Sequence, residues 1–264
     1  MKRQKSDYTI QAVSHALELL EEFKSSASDE LGVTELAKRL KLHKNNVFRL
    51  LATLEHHGYI EQNPVTGNYR LGIRALELGQ TFIQQSGLVQ SSRPVLEDLV
   101  RKTNETAYVA ILRDGQMVYL DVVESTHVIR VVPRVGLRLP VHCTAVGKAM
   151  LAHMSEDEIK RIFPLASLTA YTARTIIDRG EFVEHLNRVR SGGYATDNEE
   201  YEEGVKCVAV PIFDHTRHPA GAITLSGPSS RMGDERIARE LAPAVIDAAR
   251  QISHRLGFEK QPAA

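Results

Sequence analysis

Lys38, Arg39, Lys41, Lys44 and Arg49 fall within one short run, residues 36 to 54, that holds no acid. Glu18, Glu21, Glu22, Asp29, Glu30 and Glu35 precede it, and Glu55 and Glu61 follow it. A solvated helix face usually mixes signs, so a run of one sign points to an anionic partner. Asn45, Asn46, Arg49 and Thr53 are interleaved with the apolar residues of the same run. In the major groove arginine pairs bidentately with guanine and asparagine with adenine. Lysine and threonine suit phosphates. The chemistry on offer is the reading of duplex DNA. Lys44, Asn45, Asn46 and Arg49 would face base edges, while Lys38, Arg39, Lys41 and Arg70 would hold phosphates, with His43 and Thr53 beside them.

A second set of polar residues lies further on: His142, Cys143, Thr144, Asp197, Glu199, Glu200, Cys207, Thr224 and Ser226. Three uses compete for them. The first is a small-molecule pocket. Thr144 can cap a helix whose first free amides lie near Ala145, Val146 and Gly147, a setting that attracts carboxylates or phosphates. The second is a zinc site, but no CxxC or HxxxH spacing exists, and Cys207 sits in an apolar run where a free cysteine acts as a small hydrophobe. The third is catalysis. His142 and Cys143 are adjacent, and neighbours in an extended segment point to opposite faces. P-loop, GxSxG and dinucleotide motifs are missing, so neither an enzyme nor a cofactor is expected.

The elements that must position these residues follow from periodicity. Ala12, Ala16, Leu19, Leu20 and Phe23 recur at helical spacing. Thr34 is placed to cap a short helix, Glu35 to Leu40, and Lys41-Leu42-His43 makes a turn. A helix from Lys44 to His57 follows, with Val47, Leu50, Leu51 and Leu54 on one face. Gly58 stops it. Tyr59–Glu61 and Asn68–Leu71 flank Pro64-Val65-Thr66-Gly67 as a hairpin. Helix, helix, turn, helix and hairpin make a winged helix-turn-helix. Helices over Leu71–Gln85 and Leu88–Thr103 follow. Strands are expected over residues 107–112, 117–123, 128–132, 205–213 and 220–226, with helices over 144–152, 156–163, 181–190 and 234–256. Strand meanders with interleaved helices indicate α+β.

The chain has 264 residues, of which 42% are hydrophobic and 25% charged, so disorder and rod-like folds are not expected. Two cysteines cannot staple this length and favour a reducing, cytoplasmic setting. No apolar run approaches the roughly 20 residues a membrane span needs. The formal net charge is zero, against a nonspecific nucleic-acid coat and in favour of a focused basic patch.

Four stretches, in order, carry a family resemblance. They are Leu42-His43-Lys44-Asn45-Asn46-Val47-Phe48-Arg49-Leu50-Leu51 with Gly58-Tyr59; Tyr69-Arg70-Leu71-Gly72; Leu139-Pro140-Val141-His142-Cys143-Thr144-Ala145-Val146-Gly147-Lys148-Ala149; and Asp197-Asn198-Glu199-Glu200 with Gly204 to Phe213 and Ser226-Gly227-Pro228. On these the chain resembles the IclR family of bacterial transcription regulators over nearly its full length. The resemblance implies a winged helix-turn-helix over residues 1–72, a linker helix over 73–87 that helps pair subunits, a GAF-like effector-binding and oligomerisation domain over 88–258, and a disordered tail over 259–264. Carried over, the effector pocket takes Val131, Leu139, Ala145, Val146, Asp197, Val205, Cys207, Thr224 and Ser226; His142, Thr144 and Gly147 join it from the reading above. The implied partners are a pseudo-palindromic operator, a small effector, expected to be an organic acid, and further copies of the chain as a homodimer or homotetramer. Many members carry small hydroxyl residues where Asn45 and Asn46 stand, so no operator sequence is implied.

Overall fold

Leu19, Leu31, Leu36, Val47, Leu51, Ile60 and Tyr69 are wholly or almost wholly buried, and they build the core that holds the basic run in place. In the computed structural model residues 9–25, 29–132, 134–162 and 168–258 are described, so the tail expected over 259–264 lies outside them. The chain divides into two units, Met1–Gln85 and Ser86–Ala264.

In the first unit α1 (Gln11–Ser25), α2 (Val33–Leu40) and α3 (Lys44–His56) pack on that core. The hairpin β1 (Ile60–Gln62) and β2 (Tyr69–Leu71) is antiparallel, with Ile60 opposite Leu71. α2 begins at Val33 with Gly32 as its cap, so the expected cap at Thr34 is corrected: Thr34 is already inside the first turn. The cause is Leu31, which exchanges both backbone hydrogen bonds with Tyr69 at 2.9 Å and leaves the helix to start directly after Gly32. Lys41, in the left-handed region at φ 56°, closes α2 and lets the chain turn into α3. The last element, α4 (Ile73–Gln85), has no buried residue.

In the second unit α5 (Gly87–Thr103) leads into β3 (Thr106–Arg113) and β4 (Gln116–Val123). Asp114 and Gly115, at φ 50° and 75°, form the tight connection that Asp-Gly favours. With β5 (Arg138–Pro140), β6 (Ala195–Asn198), β7 (Val205–Phe213) and β8 (Pro219–Pro228) they make an antiparallel sheet in the order β5-β4-β3-β8-β7-β6. Alternation along the strands separates two faces. Tyr108, Ala110, Tyr119, Cys207, Ala209 and Ala222 pack with α6 (Ala145–Leu151) and α8 (Arg179–Gly192). α5 and α10 (Ala242–Arg255) also pack on the sheet, and α10 bonds to β7 where the Phe213 amide donates to Ser253 Oγ at 3.0 Å. α7 (Glu156–Ile162) and α9 (Asp234–Arg236) complete the order, with a wider π turn, Ile237–Leu241, between α9 and α10. The architecture is α+β, with a winged helix-turn-helix before an antiparallel sheet flanked by helices.

One expected strand is absent. Residues 128–132 form no strand, because their carbonyls are held by side chains instead of a ladder. Thr106 Oγ1 donates to Val131 O at 2.8 Å and Arg231 Nη1 to Ile129 O at 3.0 Å. The edge beside β4 belongs to β5, where Met117 pairs with Leu139. Conversely β6, Ala195–Asn198, was not anticipated, since Asp197 and Asn198 are poor strand material by composition. Its pairing to β7, with Asp197 opposite Cys207, is what makes it a strand.

Candidate functional site

The basic run is displayed on α2 and α3. Burial of Val47 and Leu51 turns the opposite side of α3 outward, and Asn45, Asn46, Arg49 and Thr53 are all exposed there, with Lys44 exposed as the first residue of the helix. Asn46, Arg49 and Thr53 share a shallow groove with Ala12 and His15 of α1, and Asn45, four residues before Arg49, stands on the same face beside it. His43 is the residue before α3, exposed and extended, and its carbonyl accepts the amides of Asn46 and Val47. Thr53 donates its hydroxyl to Arg49 O at 2.8 Å.

The cations are not equivalent. Arg39 is bound by Glu22 at 3.3 Å and Glu35 at 2.5 Å, and Arg70 by Glu61 at 3.2 Å. The hydrogen bonds it donates to Glu35 and Glu22 hold the Arg39 guanidinium above its ordinary pKa. Such exposed pairs are weak and can be exchanged for phosphate. Lys38, Lys41, Lys44 and Arg49 make no ion pair among the described residues. Phe48 is exposed on α3 as well, a residue that periodicity alone did not assign to either face.

In the second unit the sheet and the start of α6 line a partly open pocket of about 120 Å³. Val131, Leu139, Thr144, Ala145 and Val146 line it from the loop and helix side, and Asp197, Val205, Cys207 and Thr224 from β6, β7 and β8. Thr144 is the N-cap of α6. Its Oγ1 donates to Pro140 O at 2.7 Å and accepts the Gly147 amide at 3.3 Å, so it fixes the joint between β5 and α6. The first intrahelical bond runs from the Lys148 amide to Thr144 O, which leaves the Ala145 and Val146 amides at the pocket end.

Three expected residues do not line the pocket. Ser226 stands behind Tyr108, whose Oη is 2.5 Å from Ser226 Oγ. His142 is buried with Nε2 at 2.9 Å from Thr169 O, and burial holds its pKa below the usual histidine value. Gly147 faces the backbone of Val141: a Cβ there would come within 2.1 Å of Val141 O, so only glycine lets α6 seat. Conversely Tyr108, Tyr119, Val132, Leu137, Tyr201 and Glu202 line the pocket without having been singled out. Tyrosines inside strand runs read as ordinary β residues, and only the sheet register brings them together.

The pocket's polar groups form a directed chain. Tyr119 Oη donates to Tyr108 Oη at 3.4 Å, and Ser226 Oγ donates to Cys207 Sγ at 2.8 Å, which leaves Tyr108 to donate to Ser226. Burial pushes both phenols and the Cys207 thiol well up, so all stay protonated. Burial also raises the Cys143 thiol, to about 12, which leaves no thiolate for nucleophilic attack. Asp197 is 4% exposed, and its Oδ1 accepts the Glu200 amide at 2.7 Å. Desolvation raises its pKa to about 7, against the field of Lys148. Lys148 itself is wholly buried beneath, paired with Glu200. Among the described residues no cluster of His, Cys, Asp or Glu could hold a metal ion, and no helix is long and apolar enough to cross a membrane.

An outward-facing helix bearing arginine and asparagine on a winged helix-turn-helix, followed by a separate pocketed sheet, defines a two-domain DNA-binding transcription regulator. The comparisons with known proteins agree. Residues 12–64 match the IclR helix-turn-helix domain and residues 80–254 the bacterial transcriptional regulator IclR C-terminal domain. The chain is 36% identical over 94% of its length to the HTH-type transcriptional regulator XynR of Escherichia coli K12, covering 98% of that protein. It is 34% identical over 92% of its length to the transcriptional repressor IclR of the same organism, covering 89% of it. A solved putative transcriptional regulator from Rhodococcus sp. RHA1 superposes with a TM-score of 0.85 at 26% identity, over 94% of this chain and 99% of that one. The chain belongs to the IclR family. These relatives are named as regulators and repressors, and the chain is a regulator, not an enzyme.

Proposed function

We propose that this regulator controls a catabolic operon and that its second unit senses a small carboxylate-bearing metabolite in the 120 Å³ pocket. The observation that carries the reading is the pairing of two features in one pocket. The amide end of α6, at Ala145 and Val146, favours an anion. In the same pocket Asp197 titrates near 7 and can face an anion in its neutral form, donating a hydrogen bond instead of repelling. Apolar walls from Val131, Leu139 and Val205 complete a setting typical of ligand sites.

On the DNA side, Arg49, Asn45, Asn46 and Lys44 read bases, while Lys38 and Lys41, with Arg39 and Arg70 once released from their acids, hold phosphates. The chain acts in the cytoplasm as a dimer or tetramer on a pseudo-palindromic operator, one α3 per half-site. The exposed apolar residues of α4, Ile73, Leu76, Leu78 and Phe82, support its role in pairing subunits. Effector binding shifts the arrangement of the paired DNA-binding units only by as much as it prefers one arrangement over the other. The test is calorimetry of the full chain against a panel of small oxo, hydroxy and aromatic acids, with operator binding followed in parallel. An acid that binds at the pocket and changes operator affinity is expected, with Asp197→Ala abolishing the response and not the DNA binding. Silence across the panel would refute the carboxylate reading.

A further inference from the structure

Tyr108 is an internal wall. It lies on β3 at the centre of the sheet, opposite Thr224 of β8, with Thr106 opposite Ser226. Its side chain is buried, and its ring sits 4.3 Å from that of Tyr119, centroid to centroid. The phenol reaches across to the strand ends on β7 and β8. Its Oη lies 2.5 Å from Ser226 Oγ and 3.9 Å from Cys207 Sγ. Ser226 donates its proton to Cys207 and accepts from Tyr108, and it lines no part of the pocket.

The space that a smaller residue at 108 would open towards Ser226 is therefore filled by a ring, and what remains is 120 Å³. An apolar cavity of about 150 Å³ takes a single benzene ring. The remaining volume is smaller than that, and part of it must hold a polar group beside Asp197. We propose that Tyr108 sets the size limit of the effector, closing the deep end of the pocket so that it admits an acid of about six non-hydrogen atoms or fewer. The proposal rests on the reading of this pocket as the effector site.

The hydrogen bonds matter as much as the bulk. A ring held only by packing could swing aside for a larger ligand. Tyr108 is held at its hydroxyl by Ser226 and along its ring by Tyr119, and displacing it would take the acceptor from the buried Tyr119 hydroxyl and leave Ser226 with Cys207 alone. The limit is thus a stiff one.

The test is calorimetry on the full-length protein with pyruvate and lactate as short probes and benzoate and phenylacetate as long ones. The wild-type chain should prefer the short acids by about tenfold or more, the discrimination that one misfit methylene already gives. Tyr108→Ala should reverse that preference. Because it opens a buried cavity and could unfold the domain, Tyr108→Leu serves as a second variant, with folding checked by circular dichroism. Wild-type protein that takes benzoate as tightly as pyruvate overturns the proposal, with no need of any variant. So does a folded Tyr108→Leu chain that keeps the wild-type ranking. If no acid binds wild type or variant, the carboxylate reading of the pocket falls, and this limit with it; a pocket that binds long acids leaves that reading standing while removing the limit.

Discussion

Arg49 and Asp197 show what single residues contribute on the two sides of this molecule. Arg49 stands exposed on α3 without an ion pair among the described residues, ready for a guanine edge. Arg49→Ala should cost specific operator binding about 1–3 kcal/mol. Binding to random duplex should fall much less; equal losses in a gel-shift titration would remove the base-reading role. Asp197 is legible in the sequence as a polar residue near a strand, but its titration is not. Burial raises its pKa to about 7, so the neutral form is favoured in the folded chain. Its contribution is therefore greatest below the unfolded value of about 4, and is lost as pH rises through about 7. Asp197→Asn keeps the acceptor for the Glu200 amide and removes the titration. The melting temperature of the variant should gain on the wild type as pH goes from about 5 to 8. A gap that stays constant across that range would show that Asp197 does not titrate there.

At the scale of elements, helix α6 is where sequence and structure agree in outline and differ in detail. Its start at Thr144 follows from capping chemistry, and Thr144 does accept the Gly147 amide. Its total burial does not follow. Every residue of α6 is buried, Lys148 included, and the lysine is tolerated only because Glu200 meets it from the segment after β6. Removing one partner of a buried ion pair leaves an uncompensated charge and costs about 3–5 kcal/mol, whereas replacing both can be nearly neutral. Lys148→Met should thus destabilise the domain strongly in urea melts, and Lys148→Met with Glu200→Leu should recover most of the loss. If the double variant is as unstable as the single one, the charge pairing is not what matters there. The expected strand at 128–132 failed for a related reason: valine and isoleucine predict extension, but Thr106 and Arg231 capture the backbone acceptors a ladder would need.

At the scale of the whole molecule, a net charge of zero coexists with a basic run on one short stretch. Part of that run is neutralised locally, since Glu22 and Glu35 hold Arg39; outside it, Glu61 holds Arg70 of the hairpin. On the function proposed above, affinity would come from base contacts and from doubling the site by symmetry, which gives subunit pairing its weight. Ile73, Leu76, Leu78 and Phe82 leave α4 with more apolar surface than a solitary helix keeps. Leu76→Glu with Phe82→Glu should shift the protein towards monomer in sedimentation and weaken operator binding, while the isolated fold of each unit is kept. An unchanged oligomer would move the pairing surface elsewhere.

The sequence by itself determined the local elements and their order: periodicity places the helices, Asp-Gly and Pro-Val-Thr-Gly place the turns, and residue types on α3 state the chemistry of its exposed face. Four short motifs in series sufficed for the family. Tertiary structure alone decided the pocket. Tyr108, Tyr119, Asp197 and Cys207 come from four strands and meet only through the register of β4, β3, β8, β7 and β6. Volume, a raised carboxyl pKa and a buried lysine are properties of what surrounds a residue. They arise when distant segments exclude water together, and no spacing along the chain encodes that exclusion.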